Sequence, residues 1–199
     1  ELEYILIRNG AMVFFTNAEN SVTGLNQKQI QDIYVYGKYT NWNQIGGQDA
    51  ELLPYRRNTD SGSHALMEQY FLEGGKLSLS PDVHNVLTSY AMSSALTDVA
   101  GAMTTDPLAY AMGYSVYYYY VNSYWLLGDA GGGELKLLAV DGVLPSDETI
   151  ADGSYPLAGY NYAGFRADEP ADSPARRLAE FMVSEAGQTC VGSAGFGPL

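Results

Sequence analysis

The sequence predicts an α/β protein. Three observations carry this. Runs of apolar, β-branched and aromatic residues alternate with segments of helical spacing along the whole chain. The helical segments open on Ser or Asn caps and close near glycine. Among 199 residues, 46% are apolar and 17% charged, a composition suited to a packed core rather than a disordered tail. A fold of this size buries roughly 70% of its unfolded surface. The length suits one large domain or two small lobes. The chain carries no internal repeat and no low-complexity segment.

Residues 4–16, YILIRNGAMVFFT, read as strands interrupted by a turn at Asn9-Gly10. LNQKQIQDIYVYG reads as a helix. Asn26 is placed as N-cap, Gln29 completes a capping box, Leu25 and Ile30 form a hydrophobic staple, and Gly37 is the C′ residue. The spacing puts Leu25, Ile30, Ile33 and Tyr34 on the buried face. KYTNWNQIGGQDAE is turn-rich and LLPYRR is a short strand. The next helix is expected from about Ser63 to Leu72, stopped by Gly74-Gly75. Ser80-Pro81 predicts a cap with proline at N1, hence a helix containing His84. SYAMSSALTDVAG adds a helical piece ending at Gly101. Residues 110–127, YAMGYSVYYYYVNSYWLL, are the strongest strand signal. The glycines at 131–133 read as a tight turn, LKLLAV as a strand, SDETIADG as a short helix and YNYAGFRAD as a strand. Ser173-Pro174 opens a last helix, expected to run to about Ser184 and to be closed by Gly187.

Charge narrows the function classes. Ten basic residues against 23 acidic ones give a net charge of −13. Nucleic acid and anionic membrane both need a basic face, so neither is an expected partner. No run approaches the roughly 20 apolar residues of a membrane span. The opening residues read as a strand rather than a secretion signal, as in a mature or trimmed chain. The single cysteine, Cys190, excludes an intrachain disulfide framework and a Cys-based zinc cluster, and is expected to be a small buried residue beside the last helix. The two histidines, His64 and His84, belong to no carboxylate–histidine cluster, so no metal site is expected. Neither nucleotide-binding glycine motif occurs, and no cofactor is expected. Asp168-Glu169 reads as a solvated loop.

The stretch RRNTDSGSH, residues 56–64, carries the chemistry. A helix start leaves its first N–H groups unpaired and holds about half a positive charge. Gly62 lets a ligand approach the backbone, Ser61 and Ser63 add hydroxyl donors, and Arg57 supplies a planar fork for an oxyanion. Together they form a candidate cradle for a tetrahedral oxyanion. The same Ser-Gly-Ser is also an ordinary helix cap. Ser63-His64 places a serine beside a histidine, but adjacent residues rarely make a catalytic triad, and no G-x-S-x-G elbow is present. No catalytic group is assigned.

Several segments together resemble the phosphate-binding proteins of ABC importers. These are SVTGLNQKQIQDIYVYGKYTNWNQIGG, then YRRNTDSGS, AYAMGYSVYYYY, LLAVDGVLPSDETIADGSYPL and EFMVSEAGQTCVGSAGFGPL. The likeness covers nearly the whole chain. It implies a type II periplasmic-binding-protein-like α/β fold, with two lobes joined by crossing strands and ligand between them. Residues 17–112 would be the second lobe, and 1–16 with 113–199 the C-terminal part of an incomplete first lobe. Carried over by motif, the ligand contacts are Arg57, Ser61, Gly62 and Ser63. Asp60 stands where the family usually has glycine, and Ser63 where threonine is usual. The resemblance implies an extracytoplasmic, non-catalytic solute-binding role, with inorganic phosphate as ligand, a permease as partner, and a location in the periplasm or at the cell surface, lipid-anchored through a preceding segment. The family's other phosphate-gripping loop and its acidic acceptor find no counterpart here. Weak or undetectable phosphate binding is therefore expected. Also expected is an open sheet edge that a second copy completes by strand exchange, giving a homodimer. Two other readings stay open: a module for another oxyanion such as sulfate or molybdate, and a surface interaction or sensor domain that has lost the ligand.

Overall fold

The computed structural model describes residues 1–85, 109–123 and 135–199. Its strands are β1 (Leu2–Asn17), β2 (Gly24–Leu25), β3 (Glu51–Arg56), β4 (His84–Asn85), β5 (Ala109–Val116), β6 (Leu135–Leu137), β7 (Ala139–Val140) and β8 (Ala158–Arg166). Its helices are α1 (Gln27–Tyr34), α2 (Gly62–Phe71), α3 (Tyr117–Ser123), α4 (Asp147–Ala151), α5 (Pro174–Val183) and α6 (Glu185–Ser193). The α/β class stands as read from sequence.

β1 organises the sheet. Its C-terminal half, Ala11–Asn17, is buried at every position, as in a strand covered on both faces. Met12–Thr16 pair antiparallel with β5, and Phe15–Asn17 with β6. The N-terminal half, Leu2–Ala11, pairs antiparallel with β8. β3 lies parallel between β5 and β4, giving the order β4-β3-β5-β1-β6 with β8 also on β1. β2 and β7 form a separate parallel pair. Successive side chains on a strand point to opposite faces. Phe14 accordingly enters the main core, 5.9 Å from the Tyr34 ring and 5.8 Å, edge-on, from Phe71. Phe15 packs on the other face with Ala111 and Leu135.

α1 forms as the sequence indicates. Asn26 and Gln29 make the reciprocal capping box, and Leu25, Ile30, Ile33 and Tyr34 are buried. The C-cap is Val35, so Gly37, with φ +55°, lies one residue past the expected C′ position. The turn-rich stretch contains a capped 3-10 turn at Trp42–Ile45, anchored by the Trp42 indole N–H donating to the Tyr110 carbonyl at 2.9 Å.

Five expectations change. Asn9-Gly10 does not turn the chain. β1 runs through it with only a register shift between Leu6 and Arg8. The Asn9 N–H donates to the Gly197 carbonyl and its side-chain amide to the Pro198 carbonyl, so partners override the local turn signal. Residues 110–123 are not one strand. β5 ends at Val116 and the tyrosine run folds as α3, where the Tyr120 hydroxyl bonds the Leu135 carbonyl at 3.2 Å. Ser80-Pro81 opens no helix among the described residues. The Ser80 N–H donates to the Tyr34 carbonyl at 2.8 Å, and the chain enters β4, where His84 stacks on Tyr55. Gly187 does not close the last helix. Ser184 ends α5 and caps α6, and Gly187 sits buried in α6. Cys190 is exposed on α6 rather than buried. The expected SYAMSSALTDVAG helix, residues 124–127 and the glycines at 131–133 lie outside the described residues.

Candidate functional site

The candidate residues sit where β3 hands the chain to α2. Arg57 is the first residue past β3, and Ser61 is the N-cap of α2. Between them the chain turns tightly, with the Ser61 N–H donating to the Asn58 carbonyl at 3.1 Å. The Ser61 hydroxyl oxygen accepts the His64 N–H at 3.1 Å, satisfying one of the unpaired donors at the helix start. Gly62 and Ser63 are the first two helical residues. Ser63 is fully buried, whereas Gly62 is exposed. The Gly62 N–H has no acceptor among the described residues. A Cβ built on Gly62 would meet nothing within 4 Å among the described residues, so its Cα side is open there. The junction therefore presents the positive end of a helix at an accessible backbone.

Arg57 is buried, with 7% of its surface exposed. Its Nη1 is a buried donor with no hydrogen-bond partner among the described residues. Burial pulls its pKa below the ordinary arginine value, with Tyr114 acting in the opposite sense. Leaving a charged donor buried and unpaired is costly, by about 1–3 kcal/mol or more. An incoming anion would remove that cost. Arg57 stays protonated throughout the accessible pH range.

Behind the turn lies a hydrogen-bond chain. The Arg57 N–H donates to the Tyr114 hydroxyl at 3.2 Å, and that hydroxyl is 3.2 Å from His64 Nδ1. His64 Nε2 lies 3.6 Å from Glu68 Oε1. Burial pushes the Tyr114 pKa up to about 12. Burial also lowers the His64 pKa; Glu68 raises it and Arg56 lowers it further. Both side chains are thus neutral at pH 7. The phenol accepts from Arg57 and donates to Nδ1, and Nε2–H faces the Glu68 carboxylate. Nδ1 thus faces the phenol, while Nε2 lies 3.6 Å from Glu68, beyond hydrogen-bonding distance. Tyr114 was not legible as part of this site: it is a plain strand residue until the register of β5 and the path of α2 are known.

The site consists of donors: a guanidinium, two hydroxyls and a helix start. Among the described residues no group of His, Cys, Asp or Glu could hold a metal ion, and no helix is long and apolar enough to cross a membrane. Two cavities, of 190 and 230 Å³, meet at Arg8 and are walled partly by Tyr118. Neither is lined by Arg57 or residues 61–63. The donors at the β3–α2 turn therefore stand apart from these mostly apolar hollows.

Known proteins resemble this chain along most of its length. The PBP superfamily domain matches residues 2–186. The phosphate-binding protein PstS of Bacillus subtilis is 23% identical over 176 residues, covering 87% of this chain and 50% of that protein. The protein of the same name from Borreliella burgdorferi is 25% identical over 186 residues, covering 94% of this chain and 62% of that protein. The chain thus spans between half and about three fifths of these relatives. A crystal structure of an ABC-type phosphate transport receptor from Vibrio cholerae superposes with a TM-score of 0.74 at 21% identity, covering 98% of this chain and 72% of that one.

Proposed function

Because the chain belongs to the PBP superfamily, we propose that it binds inorganic phosphate at the β3–α2 junction, as the non-catalytic solute-binding component of an ABC importer. One observation carries this reading: a buried guanidinium, whose Nη1 has no hydrogen-bond partner among the described residues, stands four residues ahead of the cap of α2. Both curated relatives described above are phosphate-binding proteins by name, and the Vibrio cholerae protein is a phosphate transport receptor. In this reading Arg57 neutralises charge, and the Gly62 amide with the Ser61 and Ser63 hydroxyls donates to the ligand oxygens. Residues 17–112 act as the lobe that carries the site. The protein works outside the cytoplasm and hands its ligand to a permease. Its fast, reversible use of hydrogen bonds calls for no bond-making chemistry.

The Gly62 side is open to water, which weakens each charge-assisted bond, so the expected affinity is modest. Titration calorimetry checks this. Wild-type protein is expected to bind phosphate weakly but measurably, at the upper end of the range expected from sequence, and Arg57→Ala to lose it. Arg57→Lys is expected to recover only part, because an ammonium lacks the planar fork. Gly62→Ala meets no atom of the described residues within 4 Å, so a loss of binding there, with folding unchanged by circular dichroism, reports on the ligand's approach. No binding at millimolar phosphate or sulfate, or equal binding by Arg57→Ala, would overturn the assignment.

A second reading has its own support. Arg57, Ser61, Gly62 and Ser63, the candidate groups among the described residues, are donors. Such donors serve any tetrahedral oxyanion, sulfate or molybdate as well as phosphate. Competition between phosphate and sulfate, followed across pH, separates the two.

A further inference from the structure

The cradle has two ends that must be held at a fixed spacing: the arginine leaving β3 and the amides opening α2. The intervening residues contribute a single internal backbone bond among the described residues, Ser61 N–H to the Asn58 carbonyl. That bond shapes the turn but does not tie Arg57 to the helix. The tie comes from β5. One oxygen, the Tyr114 hydroxyl, is 3.2 Å from the Arg57 amide and 3.2 Å from His64 Nδ1. The two ends can therefore be no farther apart than twice that distance at these atoms.

We infer that Tyr114 and His64 are positioning residues for the anion site: the phenol clasps the arginine end of the turn to the first turn of α2 and so sets where the donors stand. The inference rests on the anion-binding reading above.

The clasp is built to stay put. Tyr114 is 1% exposed, pairs in register with Phe14, and meets Tyr34 edge-on at 5.5 Å. Tyr34 is itself fixed, its hydroxyl donating towards the Tyr55 and Met112 carbonyls at 3.2 and 3.1 Å. The phenol thus has little freedom to swing. His64 is 4% exposed, and its backbone is held by the Ser61 cap. The charged and titratable groups facing it are Glu68 from its own helix, Arg56 from the end of β3 and Tyr114 from β5. Glu68, on the Nε2 side at 3.6 Å, favours a proton there. That leaves the Nδ1 lone pair for the phenol, and the phenol oxygen for the Arg57 amide. The three groups form a directed chain in which each donor has one acceptor. Removing any link frees the arginine end of the turn while leaving the anion donors themselves intact.

The test uses Tyr114→Phe, His64→Leu and His64→Asn, with Arg57→Ala as control. Phosphate and sulfate affinity is measured by calorimetry, exchange of the Arg57 amide by NMR, and folding by circular dichroism. Tyr114→Phe and His64→Leu are expected to speed exchange at Arg57 and to weaken anion binding about tenfold, the worth of one well-placed buried hydrogen bond. His64→Asn, whose side-chain oxygen can stand in for Nδ1, is expected to restore most of what His64→Leu loses. A purely structural role would lower melting temperature in all three without that rescue of affinity. If Tyr114→Phe leaves both Arg57 exchange and affinity at wild-type values, the clasp is overturned. Should that variant not fold, the His64→Leu and His64→Asn pair decides by the same two measurements. If Arg57→Ala binds as well as wild type, the anion reading fails instead. Exchange at Arg57 then still decides the clasp: protection lost in the variants supports it, and an unprotected amide in wild type overturns it.

Discussion

At the scale of single residues, the site divides into what is local and what is not. The Ser61 cap and the accessible Gly62 behind it were legible because cap chemistry and backbone access are properties of a few adjacent residues. Arg57 was legible as a charge, but its burial was not, since that depends on β3 delivering it inward. Tyr114 stayed hidden because its role is set by a partner 57 positions away. His64 has a consequence that can be measured by titration. Its folded pKa lies below the ordinary histidine value, chiefly because of burial. As pH falls, the unfolded chain therefore takes up this proton first. The stability that neutral His64 supports is full above about pH 6.5 and is lost as pH drops through that value towards the folded pKa. The melting temperature of wild-type protein is expected to fall more between pH 7 and 5 than that of His64→Asn. Parallel curves for the two proteins would show that His64 does not bear this dependence.

At the scale of elements, helices with strong end signals were the easiest to read. Asn26 and Gln29 mark α1, and Ser173-Pro174 marks α5, because a cap is decided by side chains within three residues. Punctuation by glycine was less dependable. Gly187 is present not to stop a helix but because two helices meet there. A Cβ at that position would lie 1.9 Å from the Phe181 carbonyl oxygen. Gly187→Ala is therefore expected to push α5 and α6 apart, at a cost of about 1–3 kcal/mol by analogy with overpacked cores. Chemical denaturation checks this, and wild-type stability in the variant would mean that the junction is looser than its geometry. The tyrosine run of α3 misled in the opposite direction. Its residues favour strands, but helix propensity is a weak prior that tertiary packing overrides.

At the scale of the molecule, alternation of strands and helices gave the α/β class, while the strand order could not be read, because pairing joins residues far apart in sequence. The net charge of −13 bears on binding as a rate. A negative field opposes the approach of an anion, and salt screens that field, over about 10 Å at 0.1 M ionic strength. The association rate for phosphate is thus expected to rise with ionic strength from low salt, the reverse of a site fed by a basic surface. Stopped-flow measurements would show it, and a falling rate would mean that the field around Arg57 dominates. The long strand β1 sets a schedule for synthesis. Its C-terminal half finds β5 at residues 112–116 and β6 at residues 135–137, but Leu2 cannot meet its partner until Arg166 has been made. At roughly 5–20 residues per second on the ribosome, β1 waits on the order of ten seconds or more for its last neighbour. Ile5 and Leu6, half-buried in the folded sheet and paired there with Ala163 and Tyr162, lack those neighbours meanwhile, and this interval is when a nascent chain would most need a holding chaperone.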